Sequence, residues 1–420
     1  MRILDVSPWM AFPPDGGSSM RICQLLRHLS RNHEVRQFTQ PGLHQIRRPS
    51  FTREAQITQS YREYRYAHPL SAVAWEFCRR SWIYQPVLSG AVLQLVRPAL
   101  LRQWLGWADV AIVEFPWQFS YIASASLSVP LVLASHNVEV TTRVSNAEAA
   151  GICAEKSRWL RRVEQLEREA VRRADLIVVV SEADRREYID RYGVEPGRLA
   201  VIPNGSDVER FVPVSDAERR ELRGVLGLPD RPTVVYIASG PKPPDRVGLA
   251  WVKRVAGTVE DFNFLVVGGV VRRPEVAGNV IATGFVDEPW LYLQAADVSL
   301  CPIQHGGGTK IKLFDSLAVG LPTIVFEETV RGTELRHGTD VLVAEKSVQA
   351  LASLVRRSMD DSGLRDRLRA ASREFVVARH DWRIIATKLE TVLLALVGRD
   401  AKRRTLASAS GGSTDSRSGG

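Results

Sequence analysis

Short apolar runs alternate with amphipathic stretches along most of the chain. In the first half, runs that predict buried strands cover residues 2–7, 33–39, 108–114, 131–135, 176–180 and 199–202. In the second half, they cover residues 233–238, 264–267, 279–286, 298–303 and 323–326. Stretches with the spacing of helices separate most of these runs. The alternation favours an α/β fold, with two doubly wound parallel-sheet domains of Rossmann type that face a central cleft.

The pattern is less regular between the second and third predicted strands. Residues 41–60 are polar and predict a loop, while helical spacing predicts helices around residues 70–80 and 86–105. Aromatic and arginine residues are interleaved through residues 61–107. A basic, aromatic helix can lie on an anionic membrane, but aromatic residues in helices more often belong to a core, and both interpretations stay open. We expect no nucleic-acid partner, because no recognised nucleic-acid-binding module is visible.

A strand, a glycine loop and a helix follow one another in the second half of the chain. Gly306, Gly307 and Gly308 come after an apolar run, and Lys310 and Lys312 lie at the start of the amphipathic helix. The first N–H groups of a helix have no partner within it and carry partial positive charge. Glycine lets the backbone approach a phosphate closely. These residues therefore predict an anion site, although a glycine-rich turn with two solvated lysines fits the same pattern.

A second glycine loop follows the first predicted strand. Gly16 and Gly17 precede a stretch with helical spacing, for which Ser18 or Ser19 is the predicted N-cap. The two glycines do not form the GxGxxG dinucleotide fingerprint. A plain tight turn and a phosphate-binding loop are both compatible with this stretch.

Polar side chains also stand at a predicted strand end and in the lysine-bearing helix. His136 and Glu139 follow the run 131–135, and open parallel sheets bind ligands at the carboxyl ends of their strands. Glu139 could orient His136 or cap the next helix. Asp315 lies in the helix that begins near Lys310, where a carboxylate can accept hydrogen bonds from ribose hydroxyls.

Several of these stretches resemble motifs of the family 4 retaining glycosyltransferases (glycosyl transferases group 1), which have the GT-B fold. GGGTKIKLFDSLAVGLPTIV resembles their donor-site motif, SHNVEVTTR their histidine loop, and VIPNGSDVERF their interdomain hinge. In that family the donor motif binds the diphosphate of a nucleotide sugar, a helix glutamate holds the ribose, and the histidine lies near the transferred sugar. The resemblance covers about residues 2–398 and is strongest over residues 200–345.

The resemblance implies roles for the candidate residues. It assigns donor binding to Gly16, Gly17, Gly306, Gly307, Gly308, Thr309 and Asp315, and the catalytic roles to His136, Lys310 and Lys312. Lys242 is a further positive charge available to bind the donor diphosphate, and a solvated lysine is equally compatible with its position. Two departures stand out. Gly307 takes the place of a glutamate that contacts the donor sugar, and Ser239 and Pro244 take the places of an arginine and a lysine that pair with the diphosphate. A subgroup with a GGG loop and a basic helix start shares both departures.

The hinge resemblance also divides the chain. Residues 1–204 would form an acceptor-side domain and residues 205–380 a donor-binding domain, and helix 381–398 would return to the first domain. Residues 403–420 are rich in serine, glycine and arginine, which predicts a disordered tail.

The function implied is transfer, with retention, of a sugar from a nucleotide-diphosphate sugar to a hydroxyl acceptor, such as a glycan, a lipid-linked sugar or a secondary metabolite. A GT-B nucleotide-sugar epimerase and a non-catalytic nucleotide-sugar binding protein remain alternatives. Such GT-B enzymes need no bound metal, and no DxD pattern or ligand cluster stands in the cleft motifs, so we expect no metal and no cofactor beyond the nucleotide-sugar co-substrate.

Composition narrows the partners and the compartment. The formal net charge of +9 favours contact with phosphates, nucleotides or an anionic membrane. Four cysteines without C-x-x-C spacing argue against a disulfide framework or a zinc site and suit a reducing cytoplasm. The first residues turn into strand and loop before a signal-peptide core could form, and no run of about 18 apolar residues predicts a membrane span. We therefore expect a cytoplasmic protein, with peripheral contact at the inner membrane face left open.

Overall fold

The computed structural model describes residues 1–49, 51–80, 86–125, 129–154 and 157–411. These residues form two mainly parallel sheets with helices packed on both faces. The strands of one sheet all precede residue 202, and those of the other all follow residue 232. The predicted α/β class with two doubly wound sheets is confirmed.

The first sheet has eight strands, and only its outermost pair is antiparallel. The strands are β1 (Arg2–Ser7), β2 (Glu34–Thr39), β3 (Glu54–Thr58), β4 (Tyr61–Arg65), β5 (Val110–Glu114), β6 (Leu131–Ala134), β7 (Leu176–Val179) and β8 (Leu199–Val201). Their order is β3-β4-β2-β1-β5-β6-β7-β8. The chain builds outward from β1 in one direction and then from β5 in the other. The crevice at the carboxyl ends of β1 and β5 is therefore the topological switch point, where such sheets bind ligands.

The second sheet has seven strands and is also built outward from two central strands. The strands are β9 (Thr233–Ile237), β10 (Asn263–Val267), β11 (Glu275–Ala277), β12 (Val280–Gly284), β13 (Val298–Cys301), β14 (Thr323–Val325) and β15 (Leu342–Val343). Their order is β11-β12-β10-β9-β13-β14-β15, and β11 pairs antiparallel with β12. The switch point lies between β9 and β13, so the triple-glycine loop that follows β13 starts from the expected ligand-binding edge.

Helices connect the strands and flank both sheets. In the first half they are α1 (Gly17–Leu29), α2 (Leu43–Ile46), α3 (Pro69–Arg80), α4 (Ser89–Val96), α5 (Ala99–Trp107), α6 (Phe119–Ala125), α7 (Glu139–Ala149), α8 (Arg158–Arg173) and α9 (Glu182–Tyr192). In the second half they are α10 (Asp216–Val225), α11 (Pro243–Ala256), α12 (Pro289–Gln294), α13 (Ile311–Ala318), α14 (Glu327–Val330), α15 (Val348–Asp360), α16 (Ser362–Arg379) and α17 (Trp382–Gly411).

The last helix belongs to the core of the first domain. Trp382, Ile385, Leu389 and Leu393 of α17 are buried in one apolar cluster with residues of β1, β2 and α1, including Ile22. A separate core surrounds the second sheet. The predicted limits of the domains stay a prediction, but the return of the chain to its first sheet is a feature of the structure.

Three local predictions are wrong. The loop expected at residues 41–60 contains α2 and the strand β3, which pairs with β4. The helix expected at 86–105 is two helices, because Arg97 adopts φ 49° and Pro98 cannot continue the hydrogen-bonding pattern. Helix α17 runs to Gly411, so the disordered tail is wrong for residues 403–411, where arginine, leucine and alanine favour a helix. Residues 412–420 and the segment 81–85 lie outside the described residues.

Candidate active site

The triple-glycine loop packs against helix α7 of the first domain. The N–H of Gly306 donates to Ser145 Oγ at 3.0 Å. A Cβ atom added at Gly307 would lie 1.8 Å from Thr142 Oγ1, and one at Gly308 would lie 2.6 Å from the carbonyl oxygen of His136. The loop therefore lies between the two domains, in a contact so close that residues 307 and 308 have no room for a side chain.

The starts of two helices converge on this interdomain gap. Lys310 is the N-cap of α13 and Gly16 is the N-cap of α1. A Cβ atom at Gly17 would stand 3.7 Å from Ile311 Cδ1, the first residue of α13. The unpaired N–H groups and positive dipole ends of both helices are thus close together, which is an arrangement suited to an anion. The cap predicted at Ser18 or Ser19 is wrong, although Ser19 Oγ accepts from the N–H of Gly16.

Lys310 folds back over the loop that precedes it. Its Nζ donates to the carbonyl oxygens of Gly307 at 2.7 Å and Gly308 at 3.2 Å. Burial, and secondarily the charge of Lys312, lower the pKa of Lys310 to about 8. Among the described residues, the hydrogen bonds of the ammonium group all go to carbonyl oxygens, so a bound anion would stabilise its charge.

Lys312 is paired with a carboxylate from α11. Its Nζ lies 2.5 Å from Asp245 Oδ1, and both side chains are largely buried. Burial opposes the charge of Lys312, but the Asp245 carboxylate outweighs it, and the net effect raises the pKa of the lysine. Lys242 is the N-cap of α11 and is exposed, and its side chain has no hydrogen bond or ion pair within the described ranges. The helix begins at Pro243.

The hinge segment touches the donor motif at two points. Asn204 Nδ2 donates to both the carbonyl oxygen and Oγ1 of Thr309, each at 3.0 Å. Arg21 of α1 donates to Asn204 Oδ1 at 3.0 Å. Ser206 Oγ donates to Asp315 Oδ1 at 2.7 Å, and burial raises the pKa of Asp315 to about 7. The carboxyl group predicted to hold a ribose is therefore engaged through one oxygen by the hinge.

His136 lies at the carboxyl end of β6, beside the switch point. Its Nε2 is 2.5 Å from Glu114 Oε2, and its ring stacks on that of Phe115 at a centroid distance of 4.2 Å. The imidazole is buried, and burial together with the nearby charge of Arg21 lowers the pKa of His136 to about 3. The ring is therefore neutral at physiological pH.

The two roles considered for Glu139, orienting His136 and capping the next helix, are filled by other carboxylates. Glu114, not Glu139, holds the His136 ring. Glu167 of α8 caps α7 by accepting from the N–H groups of Glu139 at 2.8 Å and Val140 at 3.3 Å. Glu139 itself accepts from Asn137 Nδ2 at 3.2 Å.

The structure brings most of the candidate residues to one place. The interdomain contact gathers Gly16, Gly17, His136, Gly306, Gly307, Gly308, Thr309 and Lys310. Lys312 and Asp315 lie on the same helix with partners from α11 and the hinge, and Lys242 is on the surface. The sequence reasoning missed Asp5, Glu114, Asn204 and Ser206 as parts of the site. Asp5 and Glu114 had one signal, since each places a carboxylate within or at the end of an apolar run.

Metal-binding clusters and membrane-spanning helices are both absent from the described residues. No group of three or more histidine, cysteine, aspartate or glutamate side chains there could hold a metal ion. Within the same part of the chain, every helix is too short or too polar to cross a membrane.

Sequence comparison matches both halves of the chain. Residues 15–210 match the profile described as Glycosyltransferase Family 4, and residues 231–361 match that of Glycosyl transferases group 1. The D-inositol 3-phosphate glycosyltransferase of Salinispora arenicola is 30% identical in a match covering 61% of each chain. A GDP-mannose-dependent alpha-(1-6)-phosphatidylinositol monomannoside mannosyltransferase of Mycobacterium tuberculosis H37Rv is 28% identical over 54% of this chain and 63% of its own. The chain thus spans less than two thirds of the length of these relatives.

Structure comparison extends over nearly the whole chain. The sucrose-phosphate synthase of Thermosynechococcus elongatus superposes with a TM-score of 0.73 at 18% identity, covering 95% of this chain and all of the other. At this identity the likeness concerns the fold. Together with the two matching profiles, it identifies the chain as a member of glycosyltransferase family 4 with the GT-B fold.

Proposed function

We propose that the protein is a retaining glycosyltransferase that moves a sugar from a nucleotide-diphosphate sugar to a hydroxyl acceptor. The observation that carries the proposal is the position of the triple-glycine loop. It lies between the two domains, beside His136, where the N-termini of α1 and α13 converge. Family membership supports the same conclusion, and the names of the two sequence relatives describe sugar transfer, one of them from GDP-mannose.

The chemistry follows from where charge develops. As the bond between the sugar and the diphosphate breaks, negative charge accumulates on the leaving phosphate, and fixed donors at that point lower the barrier. The free amides at the start of α13 and the ammonium of Lys310 would supply this stabilisation. Lys312, held by Asp245, would add a second positive charge. The leaving phosphate itself can accept the proton of the acceptor hydroxyl, so the site needs no separate general base.

A polar group of α7 can take the place of the missing donor-sugar glutamate. Thr142 Oγ1 and Asn146 Oδ1 are buried and have no hydrogen-bond partner among the described residues. Thr142 Oγ1 lies against Gly307, where not even a Cβ atom fits, whereas Asn146 Oδ1 is 3.9 Å from a Cβ atom added at Gly306. Buried polar atoms normally have partners, so we assign Asn146 Oδ1 to a hydroxyl group of the donor sugar.

The test is a donor screen. Full-length protein is incubated with UDP-, GDP-, ADP- and TDP-sugars, with and without simple hydroxyl acceptors, and release of nucleoside diphosphate is measured. Release that depends on an acceptor, with a product of unchanged anomeric configuration by NMR, is the expected result. Interconversion of nucleotide sugars without an acceptor would indicate an epimerase, and a thermal shift without release would indicate a binding protein. Either outcome overturns the proposal.

We also infer peripheral contact with an anionic membrane through α3. Leu70, Val73 and Phe77 are 44%, 67% and 56% exposed, and their spacing places them on one face of that helix. An exposed apolar stripe on a protein with net charge +9 suits an anionic bilayer surface.

Vesicle binding tests this contact. A variant with Leu70→Ser, Val73→Ser and Phe77→Ser should co-sediment with phosphatidylglycerol-containing vesicles at least about tenfold less than the unmodified protein. Leu95→Ser, which changes an apolar side chain on α4 that is 74% exposed, is the matched control and should bind normally. Equal binding by both variants, or no binding by the unmodified protein, would contradict the inference.

A further inference from the structure

Two carboxyl groups lie buried behind His136. Asp5 of β1 and Glu114 of β5 come from adjacent strands and are almost inaccessible to solvent. Asp5 Oδ1 accepts from Gln37 Nε2 at 2.8 Å. Asp5 Oδ2 is buried and has no hydrogen-bond donor among the described residues, and the carboxyl group of Asp5 lies beside that of Glu114. Two carboxylates cannot bond to each other, so one proton must lie between them.

Burial favours one proton on this pair of carboxyl groups. Burial, followed by the charge of Glu114, raises the pKa of Asp5 well above its usual range. Burial also raises the pKa of Glu114, to about 7, and the charge of Arg21 counteracts part of that rise. The proton therefore lies between Asp5 and Glu114, and Glu114 Oε2 stays an acceptor toward His136.

The imidazole of His136 is fixed by two contacts. Glu114 Oε2 stands 2.5 Å from Nε2, and the Phe115 ring lies nearly parallel to the imidazole, with 13° between the planes. Phe115 has φ 70°, a conformation that is rare and strained for a bulky residue. The strained backbone keeps the Phe115 ring stacked on His136, and the carboxylate sets the ring's rotation.

The donor and acceptor roles of the two imidazole nitrogens follow. Because the shared proton lies between Asp5 and Glu114, Glu114 Oε2 accepts from His136, and the ring proton lies on Nε2. Nδ1 then carries a lone pair, and no hydrogen bond to it is found within the described residues. The other charged groups facing this cluster are Arg21 of α1 and Glu139 of α7, with Glu63 of β4 behind Asp5.

We propose that Glu114, supported by Asp5, is a positioning residue that holds His136 in its neutral Nε2–H form and so selects the sugar. This inference rests on the function proposed above. Nδ1 can accept a hydrogen bond from a sugar hydroxyl, whereas it repels a carboxylate. The transferred sugar is therefore a neutral sugar with a free hydroxyl at this position, and the matching uronic acid is a poor donor.

The protonation state can be measured without any substrate. The full-length protein is labelled with ¹⁵N-histidine, and long-range ¹H–¹⁵N spectra are recorded from pH 7 to 8. His136 is assigned among the eight histidines by comparison with His136→Gln. We expect a neutral ring with the proton on Nε2. A proton on Nδ1 or a charged ring in the unmodified protein overturns the proposal, whatever the variants do.

Two variants separate the hydrogen bond from general electrostatics. Glu114→Gln can donate as well as accept, so it should shift part of the His136 signal to the Nδ1–H form. Glu139→Gln removes a nearby charge that has no bond to the ring, and should leave the form unchanged. Identical spectra for Glu114→Gln and the unmodified protein, or equal shifts in both variants, contradict the assignment.

Kinetics then test the consequence for the sugar. With the neutral donor found in the screen, Glu114→Gln should lower kcat/KM about tenfold, as expected for one weakened hydrogen bond. The preference for that donor over the matching uronic acid should fall by a similar factor, because Nδ1–H can donate to a carboxylate. A merely structural role would lower both activities equally and leave the preference unchanged, which would refute the inference. Failure of the NMR test alone would leave the glycosyltransferase assignment intact.

Discussion

At the scale of single residues, the site is held in place by contacts that neutralise or cap charge. Lys310 lies on carbonyl oxygens, Lys312 on Asp245, and Asp315 on Ser206. The residues assigned to the donor are therefore ordered before the donor arrives, which reduces the cost of organising them during binding.

Removing either lysine should slow the reaction. Lys310→Ala and Lys312→Ala each delete a positive charge that we propose stabilises the leaving phosphate, and we expect each to lower kcat/KM by about 10²–10³, or about 2.7–4 kcal/mol. Release of nucleoside diphosphate at steady state measures the effect. Lys253→Ala, whose ammonium is at the surface near Glu275, is the control and should stay within about twofold. Full turnover by both cleft variants would show that the lysines do not touch the phosphate.

Adding one methyl group to the loop should also lower activity. The Cβ of Gly307→Ala would overlap Thr142 Oγ1 and push the loop away from α7. We expect a loss of at least about tenfold in kcat/KM with little change in the unfolding midpoint, since the loop is at the surface of its domain. Gly240→Ala, where an added Cβ meets no atom within 4 Å, should behave like the unmodified protein. Partial rescue by Thr142→Ala in the same chain would confirm the steric cause, and normal activity of Gly307→Ala would disprove it.

At the scale of elements, α7 links the site to the rest of the first domain. Its N-terminal amides bond to Glu167, and the same carboxylate accepts from Tyr188 at 2.9 Å and Tyr192 at 2.7 Å. These donors favour the ionised carboxylate, but burial outweighs them and raises the pKa of Glu167 to about 7. The helix that carries Thr142 and Asn146 is therefore anchored by a titratable group.

This cap predicts a specific dependence of stability on pH. The folded-state pKa of Glu167 exceeds the unfolded value of about 4.3. Its contribution is therefore full below about pH 4 and is lost as the pH rises to about 7, by up to about 1 kcal/mol per pH unit. Urea unfolding at pH 5, 6 and 7 should show Glu167→Gln gaining stability relative to the unmodified protein as the pH rises. Glu164→Gln, an exposed change on the same helix, should show a constant difference. A constant difference for Glu167→Gln as well would refute the assignment.

Much of this element structure could be predicted from the sequence. Buried parallel strands give uninterrupted apolar runs, and each run from residue 108 onward became a strand. The errors concentrate between residues 41 and 107. There the strand β4 reads YREYR and buries Glu63 and Arg65 as an ion pair, so it contains no apolar run. The αL conformation of Arg97 cannot be deduced from hydrophobic spacing either. Strand pairing at a sheet edge and a non-glycine turn depend on tertiary contacts that local patterns do not contain.

Only part of the candidate site could be predicted from the sequence, for a related reason. Glycines and lysines next to a strand end can be recognised by spacing, so the loop at residues 306–310 was predicted. Glu114, Asn204 and Ser206 act across long sequence separations: 22 residues to His136, 105 to Thr309 and 109 to Asp315. Such partners become apparent only when the sheets are assembled and the domains face each other.

At the scale of the whole molecule, the two domains are joined by more than the hinge. The segment after β8 bonds to both domains through Asn204, and Ser206 forms a bridge with Asp381 just before α17. Helix α17 then packs along α1, whose first residues face the donor loop. Opening of the cleft would therefore bend both the segment after β8 and the segment before α17. Because these two segments lie side by side, they favour a rotation of one domain about that point.

The contribution of α17 can be measured directly. Trp382→Ala removes a buried indole from the core of the first domain and should lower the free energy of unfolding by about 3–5 kcal/mol. Leu394→Ala removes a side chain that is 49% exposed on the same helix and should cost less than about 1 kcal/mol. Urea titration followed by far-ultraviolet circular dichroism compares the two. Similar losses in both variants would mean that α17 adds little to this core.

The position of α17 has a consequence for protein synthesis. The ribosome makes the first sheet before any other part, yet the residues that fill one face of it, 382–396, emerge after the entire second domain. We expect the second domain to fold before the first domain, although the first domain is synthesised earlier. Nascent chains stalled before and after residue 396 would show it, by protease resistance that appears first in residues 233–361 and only later in residues 2–201.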